Sequence, residues 1–419
     1  MPELARRLGT TDAVVIGLGA MVGAGVFSAF GPAAAAAGSG LLVGLVIAGV
    51  IAYCNAVASA QLAAVYPTSG GTYTYGRERL GEWWGFIAGW GFVIGKLASC
   101  AAMALTFAAY AVPGPMWLQR LVGVAAVVLL TGANYRGIGK TAWVTRILVG
   151  LTLVILVGLV VAILDSGSLE TGNLDGWWGG EGDGVYGVLQ AGGLLFFAFA
   201  GYARIATLGE EVREPERTIP RAIPIALGIV FVLYLAVGTT ALLAAGADRL
   251  AGSTAPLTVA VEAVGLDGLG PVVRVGAALA SLGTLIVLIA GIGRTSLAMG
   301  RNGDLPRWLA AVHPRYQVPH HAELAVAVVV CALVLTSDLR GVIGFSSFGV
   351  LTYYAIANAS AFTQPASDRR WPRALNVLGV LGCAVLAFTL PVGAVASALG
   401  VFAIGLLGRL LVRRRLVRL

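Results

Sequence analysis

The sequence predicts an all-α integral membrane fold of twelve transmembrane helices, and three observations predict it. Of the 419 residues, 58% are hydrophobic and only 11% are charged, against about 25% charged in a soluble domain. Apolar runs of about 20 residues follow one another from end to end, each long enough to cross about 30 Å of hydrocarbon. The arginines gather in alternate loops, as orientation in a membrane requires.

The spans are read at 12–37, 41–66, 83–112, 121–134, 142–164, 186–209, 221–246, 271–300, 321–337, 341–362, 375–390 and 392–411. The first run has no small-residue cleavage site matched to a basic head, so it is read as a retained span. Residues 374–411 form one nearly uninterrupted apolar run, about 57 Å long at 1.5 Å per residue, which suits two crossings divided near Pro391. Charge parity supports that division. Arg369, Arg370 and Arg373 precede the run, and Arg413, Arg414, Arg415 and Arg418 follow it, so an even number of crossings lies between them. Arg6, Arg7, Arg77, Arg79, Arg136, Lys140, Arg213, Arg217, Arg221, Arg301, Arg307 and Arg315 join them on one side. The opposite loops hold little beyond Arg249 and Arg340. The longest of these, 165–184, holds Asp165, Glu170, Asp175, Glu181 and Asp183 without a Lys or Arg. Both termini are therefore expected in the cytoplasm, with the chain in the cytoplasmic (inner) membrane. The net charge of +8 then reflects topology and not a nucleic-acid partner. Cys54, Cys100, Cys331 and Cys383 all lie in apolar runs and read as small packing residues.

Within span 1, Gly17-Leu18-Gly19-Ala20-Met21-Val22-Gly23-Ala24-Gly25-Val26-Phe27 holds four glycines in nine positions. Each glycine weakens a helix by about 1 kcal/mol relative to alanine, so the cluster predicts a helix that breaks inside the membrane. Broken backbone at that depth is tolerated only against protein or a water-filled cavity. Span 6 carries a second such stretch, Ala191-Gly192-Gly193-Leu194-Leu195-Phe196-Phe197-Ala198-Phe199-Ala200-Gly201-Tyr202. Either cluster alone also fits close helix packing through small residues. Matched interruptions in two halves are the mark of an inverted repeat with a binding site at its interface.

Further motifs then specify a family. They are Tyr66-Pro67-Thr68-Ser69-Gly70-Gly71-Thr72-Tyr73-Thr74-Tyr75 after span 2 and Gly209-Glu210-Glu211-Val212-Arg213-Glu214-Pro215-Glu216-Arg217-Thr218-Ile219-Pro220 after span 6. Arg294, Ala298-Met299 and Gly303-Asp304-Leu305-Pro306 follow around the end of span 8. With the two glycine-broken spans, in this order, the chain resembles the amino acid-polyamine-organocation (APC) transporters. The resemblance implies the LeuT-like APC fold: a five-plus-five inverted repeat with discontinuous helices 1 and 6, followed by two more. The first repeat would occupy 1–165, the second 185–362, and helices 11 and 12 residues 374–412 of a single transporter domain. It also implies a secondary amino acid transporter working by alternating access.

An amino acid carries a carboxylate and an ammonium, and broken backbone can read both. The second half of span 1 would offer free amides of Val22, Gly23, Ala24, Gly25 and Val26 to the carboxylate, aided by the helix dipole. Unwound carbonyls near Ala20, and near Phe197 and Ala198, would accept from the ammonium, and Met21 lies with them among the substrate-binding candidates. Phe197, Phe199 and Tyr202 are candidates for closing over the ligand beside Gly201, although isolated aromatics also serve as plain packing.

Other signals weigh less. Gly17-x-Gly19-x-x-x-Gly23 lacks the acidic residue and strand–helix context of a dinucleotide loop. His313, His320 and His321, with Glu323 nearby, lie in one basic loop and read as solvated rather than metal-binding. Glu210, Glu211, Arg213, Glu214, Glu216, Arg217 and Arg221 read as an ion-pair network, either anchoring the loop or closing an inner gate. Arg146, Arg204 and Arg294 fall in inner halves of spans, where they snorkel or meet loop carboxylates.

Lys96 falls near the midplane, where an ionisable residue is a functional candidate. Similarity to the family puts it beside the substrate pocket. It would act as a proton-coupling group, as a fixed charge repelling cationic ligands, or as a structural ammonium bonded to carbonyls. Two departures from the family bear on this. Cationic-amino-acid members carry an acid shortly after the span 6 aromatics, where this chain has Ala203 beside Arg204. Some proton-coupled members carry a lysine in span 5, where the matching coupling position here is Thr152.

The substrate is accordingly expected to be a neutral, or alternatively an anionic, amino acid, with coupling by protons or by exchange. A cationic amino acid or polyamine transporter of the same family is the runner-up. A sensor on the same fold would want a soluble signalling tail, whereas the chain ends at Leu419 just past its last span. A membrane enzyme would need acids, His or Cys converging at one depth. No cofactor, metal or nucleotide-binding domain is expected. The expected partners are the amino acid and the lipid bilayer.

Overall fold

The computed structural model describes residues 8–67, 70–136, 142–176, 184–208 and 211–416. Arg6, Arg7, Thr68, Ser69, Lys140, Glu181, Asp183, Gly209, Glu210 and Arg418, named above, lie outside the described residues. Among the described residues the elements are helices, short 3-10 turns and one isolated β-bridge.

The chain opens with α1 (Thr10–Met21), α2 (Ala24–Ser28) and α3 (Phe30–Ala37), and Gly38 at φ 57° then turns it into α4 (Leu41–Val65). Only glycine takes that conformation without strain. A short helix, α5 (Thr72–Leu80), leads to α6 (Glu82–Ala111), α7 (Met116–Tyr135) and α8 (Ala142–Asp165). Next come α9 (Gly184–Phe199), the single-turn α10 (Ala203–Ala206), α11 (Pro215–Ala251) and α12 (Pro256–Ala263). Pro215 starts α11 at a position where a missing N–H does no harm. The remainder is α13 (Gly270–Arg301), α14 (His320–Thr336), α15 (Leu339–Phe362), α16 (Arg373–Phe388) and α17 (Val392–Leu416). The apolar run 374–411 does divide before Pro391, which cannot continue a helix.

By length and composition, nine helical stretches among the described residues suffice to cross a membrane, with α1–α2 and α3–α4 each counted as one. Three more, α9, α14 and α16, are apolar but only 16 or 17 residues long. Large side chains stay exposed on the outer helices, among them Leu129 (72%), Val154 (69%) and Val392 (75%). Such a surface matches hydrocarbon and not water. The protein is an all-helical integral membrane fold.

Inside, small residues let backbones touch. A Cβ on Gly44 of α4 would lie 2.8 Å from Gly192 N and Val188 O of α9. One on Gly95 of α6 would lie 3.1 Å from Ser346 O of α15. Gly192 and Gly193 therefore differ from expectation. They lie within a continuous α9 and serve packing, and the helix breaks only after Phe199. The break in span 1 is equally short, at Val22 and Gly23, while Gly17 packs on Ile205.

Candidate functional site

At the first break Val22 leaves helical geometry with φ −78° and ψ 70°, and Gly23 follows with φ −119° and ψ −147°. Two of the five amides expected to be free are already held. Val22 N donates to Leu18 O (2.7 Å) and Gly23 N to Met21 O (2.8 Å), because the chain completes a tight turn before it restarts. The amides of Ala24, Gly25 and Val26 open α2 and have no backbone acceptor among the described residues. They form the positive end of a helix segment.

At the second break Gly201 N turns back to Phe199 O (2.7 Å), and helical bonding resumes with Arg204 N to Gly201 O (3.0 Å). The two breaks face each other. Gly201 lies directly against the Ala20 carbonyl, and a Cβ on Gly25 would lie 2.6 Å from Ala198 Cα. Ala20, Met21, Gly25, Ala198 and Gly201 are thus brought together, with Val22, Gly23, Ala24 and Val26 in the same turn. Gly23 faces α13, where its Cβ would lie 2.5 Å from Thr284 Oγ1.

Tyr234, on α11, is the residue that sequence reasoning missed. Its hydroxyl lies 2.6 Å from Met21 O and 3.2 Å from Ala198 O, so one donor reaches both breaks. Nothing in the local sequence of α11 sets Tyr234 apart from a packing aromatic. Lys96 is buried on α6 and donates from Nζ to Ala200 O at 3.1 Å. Its ammonium reaches the second break. Thr152 is buried on α8 with its hydroxyl donated to Leu148 O (2.8 Å), one turn back in its own helix.

The aromatics divide. Phe199 packs on Phe231 and Tyr234, with ring centroids 6.4 and 5.2 Å away. Tyr202 stacks on Tyr354 of α15 at 4.8 Å. Both are fully buried, whereas Phe197 retains 7% exposure beside Ala198. Of the three, Phe197 keeps the most exposure.

The charged loops differ from expectation. Among the predicted inner-loop residues that are described, the ion pair found is Arg217–Glu214, exposed and 3.3 Å apart. The buried pairing lies elsewhere. Asp304 accepts from Tyr73 Oη (2.7 Å) and Arg77 Nη1 (3.0 Å), and Arg409 of α17 reaches its other oxygen at 2.7 Å. Burial holds the Tyr73 phenol above its ordinary pKa. Arg146 pairs with Asp12 of α1 at 2.7 Å. The stretch before α1 also bonds to the stretch after α10: Leu8 N to Glu211 O (3.2 Å) and Arg213 N to Leu8 O (2.9 Å).

Glu323 is not a solvated loop residue. It lies buried in the first turn of α14 with its Cγ against Gly293, because a glycine on α13 leaves room for it. His320 and His321 likewise begin α14, and the three histidine rings pack on each other and on Tyr135, Tyr316 and Trp308.

The family model described as amino acid permease matches residues 8–407. The chain is 58% identical, over 403 residues, to an uncharacterized transporter of Mycobacterium tuberculosis, covering 96% of this chain and 90% of the relative. It is 27% identical over 400 residues to the branched-chain amino acid permease BcaP of Bacillus subtilis (90% and 85% covered). It is also 28% identical over 415 residues to the chloroplastic cationic amino acid transporter 7 of Arabidopsis thaliana (93% and 71% covered). With helices that match a bilayer and a family model spanning nearly its whole length, this chain belongs to the amino acid permease family of the APC superfamily and is a multi-pass membrane transporter of amino acids.

Proposed function

We propose that the protein is a secondary transporter that moves a neutral amino acid across the cytoplasmic membrane by alternating access. The observation that carries this reading is the contact between the two breaks, Gly25 on Ala198 and Gly201 on Ala20, bridged by Tyr234. Amides of Ala24, Gly25 and Val26 take the substrate carboxylate. The Met21 and Ala198 carbonyls take its ammonium in place of the Tyr234 hydroxyl, and Phe197 covers the side chain. Gly201 and Ala20 keep the breaks close, and Phe199 and Tyr202 back the site by packing.

Twelve crossings in the five-plus-five-plus-two arrangement suit the nine long helices together with the three shorter apolar ones. The basic loops favour both termini in the cytoplasm. Lys96 is the coupling group: it exchanges a proton as the breaks close and open, and its charge disfavours a second cation beside the site. Thr152, satisfied within its own helix, packs α8 and leaves the coupling role to Lys96.

A cationic substrate is the second reading, favoured by the relative named a cationic amino acid transporter. A second positive charge would need a buried partner, and the two buried carboxylates among the described residues lie elsewhere: Glu323 in the first turn of α14, and Asp304 paired with Arg77 and Arg409. The test is to melt the purified protein against the common amino acids and polyamines and to confirm each hit by liposome uptake. Stabilisation by neutral amino acids with saturable uptake is expected.

A further inference from the structure

Gly132 lies inside α7, where glycine weakens a helix relative to alanine. A Cβ there would meet no atom of the described residues within 4 Å, so packing among them does not require the glycine. Gly123 on the same helix differs, since its Cβ would lie 3.2 Å from Val334 Cγ1 and 3.3 Å from Ala104 O. Gly132 is exposed and floors a cleft of about 650 Å³ between α7 and the loop before α14. The notch opens outward.

Along α7 the lining changes in kind over about 12 Å, the rise from Val128 to Arg136. Val128 and Leu129, 56% and 72% exposed, make one end apolar. Tyr135, Arg136 and Tyr316 line the other. That polar end is held in place. The Tyr135 ring packs on His313, Tyr316 and His320, with centroids 5.3, 5.9 and 6.1 Å away. Asn134 Nδ2 donates to Ile286 O of α13 at 2.8 Å. The Arg315 guanidinium lies over the Tyr316 ring, 5.5 Å from its centroid. Arg136 and Arg315 are exposed and form no ion pair among the described residues. No carboxylate among those residues lines the cleft.

Two unpaired guanidiniums at one end and bare alkyl surface at the other complement an anionic headgroup joined to an acyl chain. Tyrosine and arginine also suit the depth at which headgroups meet hydrocarbon. The cleft at the opposite end of α7, about 520 Å³, lacks this match. Its cation, Arg120, donates from Nη2 to Ser337 O at 3.3 Å. We propose that the cleft at Gly132 binds one anionic phospholipid from the leaflet on the basic face. An acyl chain lies over Gly132 between Val128 and Leu129, and the phosphate meets Arg136 and Arg315. The bound lipid fastens the end of α7 to the head of α14, where Tyr135 already packs on His320. Neither the two breaks nor their substrate takes part.

The test titrates the purified full chain in detergent with palmitoyl-oleoyl phosphatidylglycerol or with the phosphatidylcholine of the same chains. Bound lipid is counted by native mass spectrometry, and melting is followed in parallel. The wild type should bind phosphatidylglycerol at least fivefold more tightly and melt later with it. Arg136→Gln combined with Arg315→Gln should bring phosphatidylglycerol down to the phosphatidylcholine level. Gly132→Leu, directed into open space, should weaken both lipids at least fivefold while the lipid-free protein melts no earlier than wild type. Equal binding of the two lipids by the wild type would overturn the anionic headgroup. Wild-type binding in Gly132→Leu would overturn the cleft and leave surface charge alone. Dimers in place of bound lipid, abolished by Gly132→Leu, would give the cleft to a second copy and refute the lipid.

Discussion

Gly25 and Ala198 hold the two broken helices at backbone contact, so closely that a Cβ on Gly25 would lie 2.6 Å from Ala198 Cα. Backbone cannot step aside as a flexible side chain does. Gly25→Leu should therefore reduce liposome uptake at least tenfold, with a stability loss of about 1–3 kcal/mol from overpacking. Gly23→Leu, which meets the Thr284 side chain, should also lose transport. Uptake at the wild-type rate in both variants, at normal expression, would reduce the contact to packing.

Tyr234→Phe removes one oxygen and leaves the Met21 and Ala198 carbonyls without that donor. An unsatisfied buried acceptor costs about 1–3 kcal/mol, so the ligand-free variant should melt earlier than wild type. Because substrate ammonium would take the same carbonyls, saturating substrate should close most of the gap. A melting deficit unchanged by substrate would separate Tyr234 from the ligand.

Lys96→Met keeps length and loses charge. The variant should lose pH-gradient-driven accumulation while retaining exchange, and neutral-over-cationic selectivity should relax. Unchanged pH dependence with unchanged selectivity would leave Lys96 as the tether to Ala200 and nothing more.

Competition assays test the substrate class. Neutral amino acids should saturate uptake, and putrescine and arginine should compete at least tenfold less well. Saturable putrescine or arginine uptake that neutral amino acids fail to inhibit would reverse the assignment.

Asp304 and Arg409 are both nearly inaccessible, with side chains 3% and 1% exposed. Removing one member of a buried pair leaves the other charge uncompensated, at about 3–5 kcal/mol. Asp304→Asn should lower the melting temperature sharply, and Arg409→Met less so, since Arg77 still pairs with Asp304 in that variant.

The broken helices were legible because glycine at Gly25 and Gly201 has a local cause: no other residue permits such close backbone contact. The same glycine signal over-reached at Gly192, since packing and breaking use the same residue and only the neighbouring Gly44 decides between them. Tyr234 and Asp304–Arg409 were not legible, because each joins segments far apart in the chain. Glu323 was misread for a similar reason. Its burial is decided by Gly293 on another helix and not by the polar sequence around it.

The bridge between Leu8 and Val212 has a mechanical corollary. Two backbone hydrogen bonds yoke the stretch before α1 to the stretch just past α10. Opening toward the basic face would then be a single rotation of that yoke, with Asp12–Arg146 as the catch that holds it against α8. Parting the two stretches costs both hydrogen bonds, about 0.5–1.5 kcal/mol each.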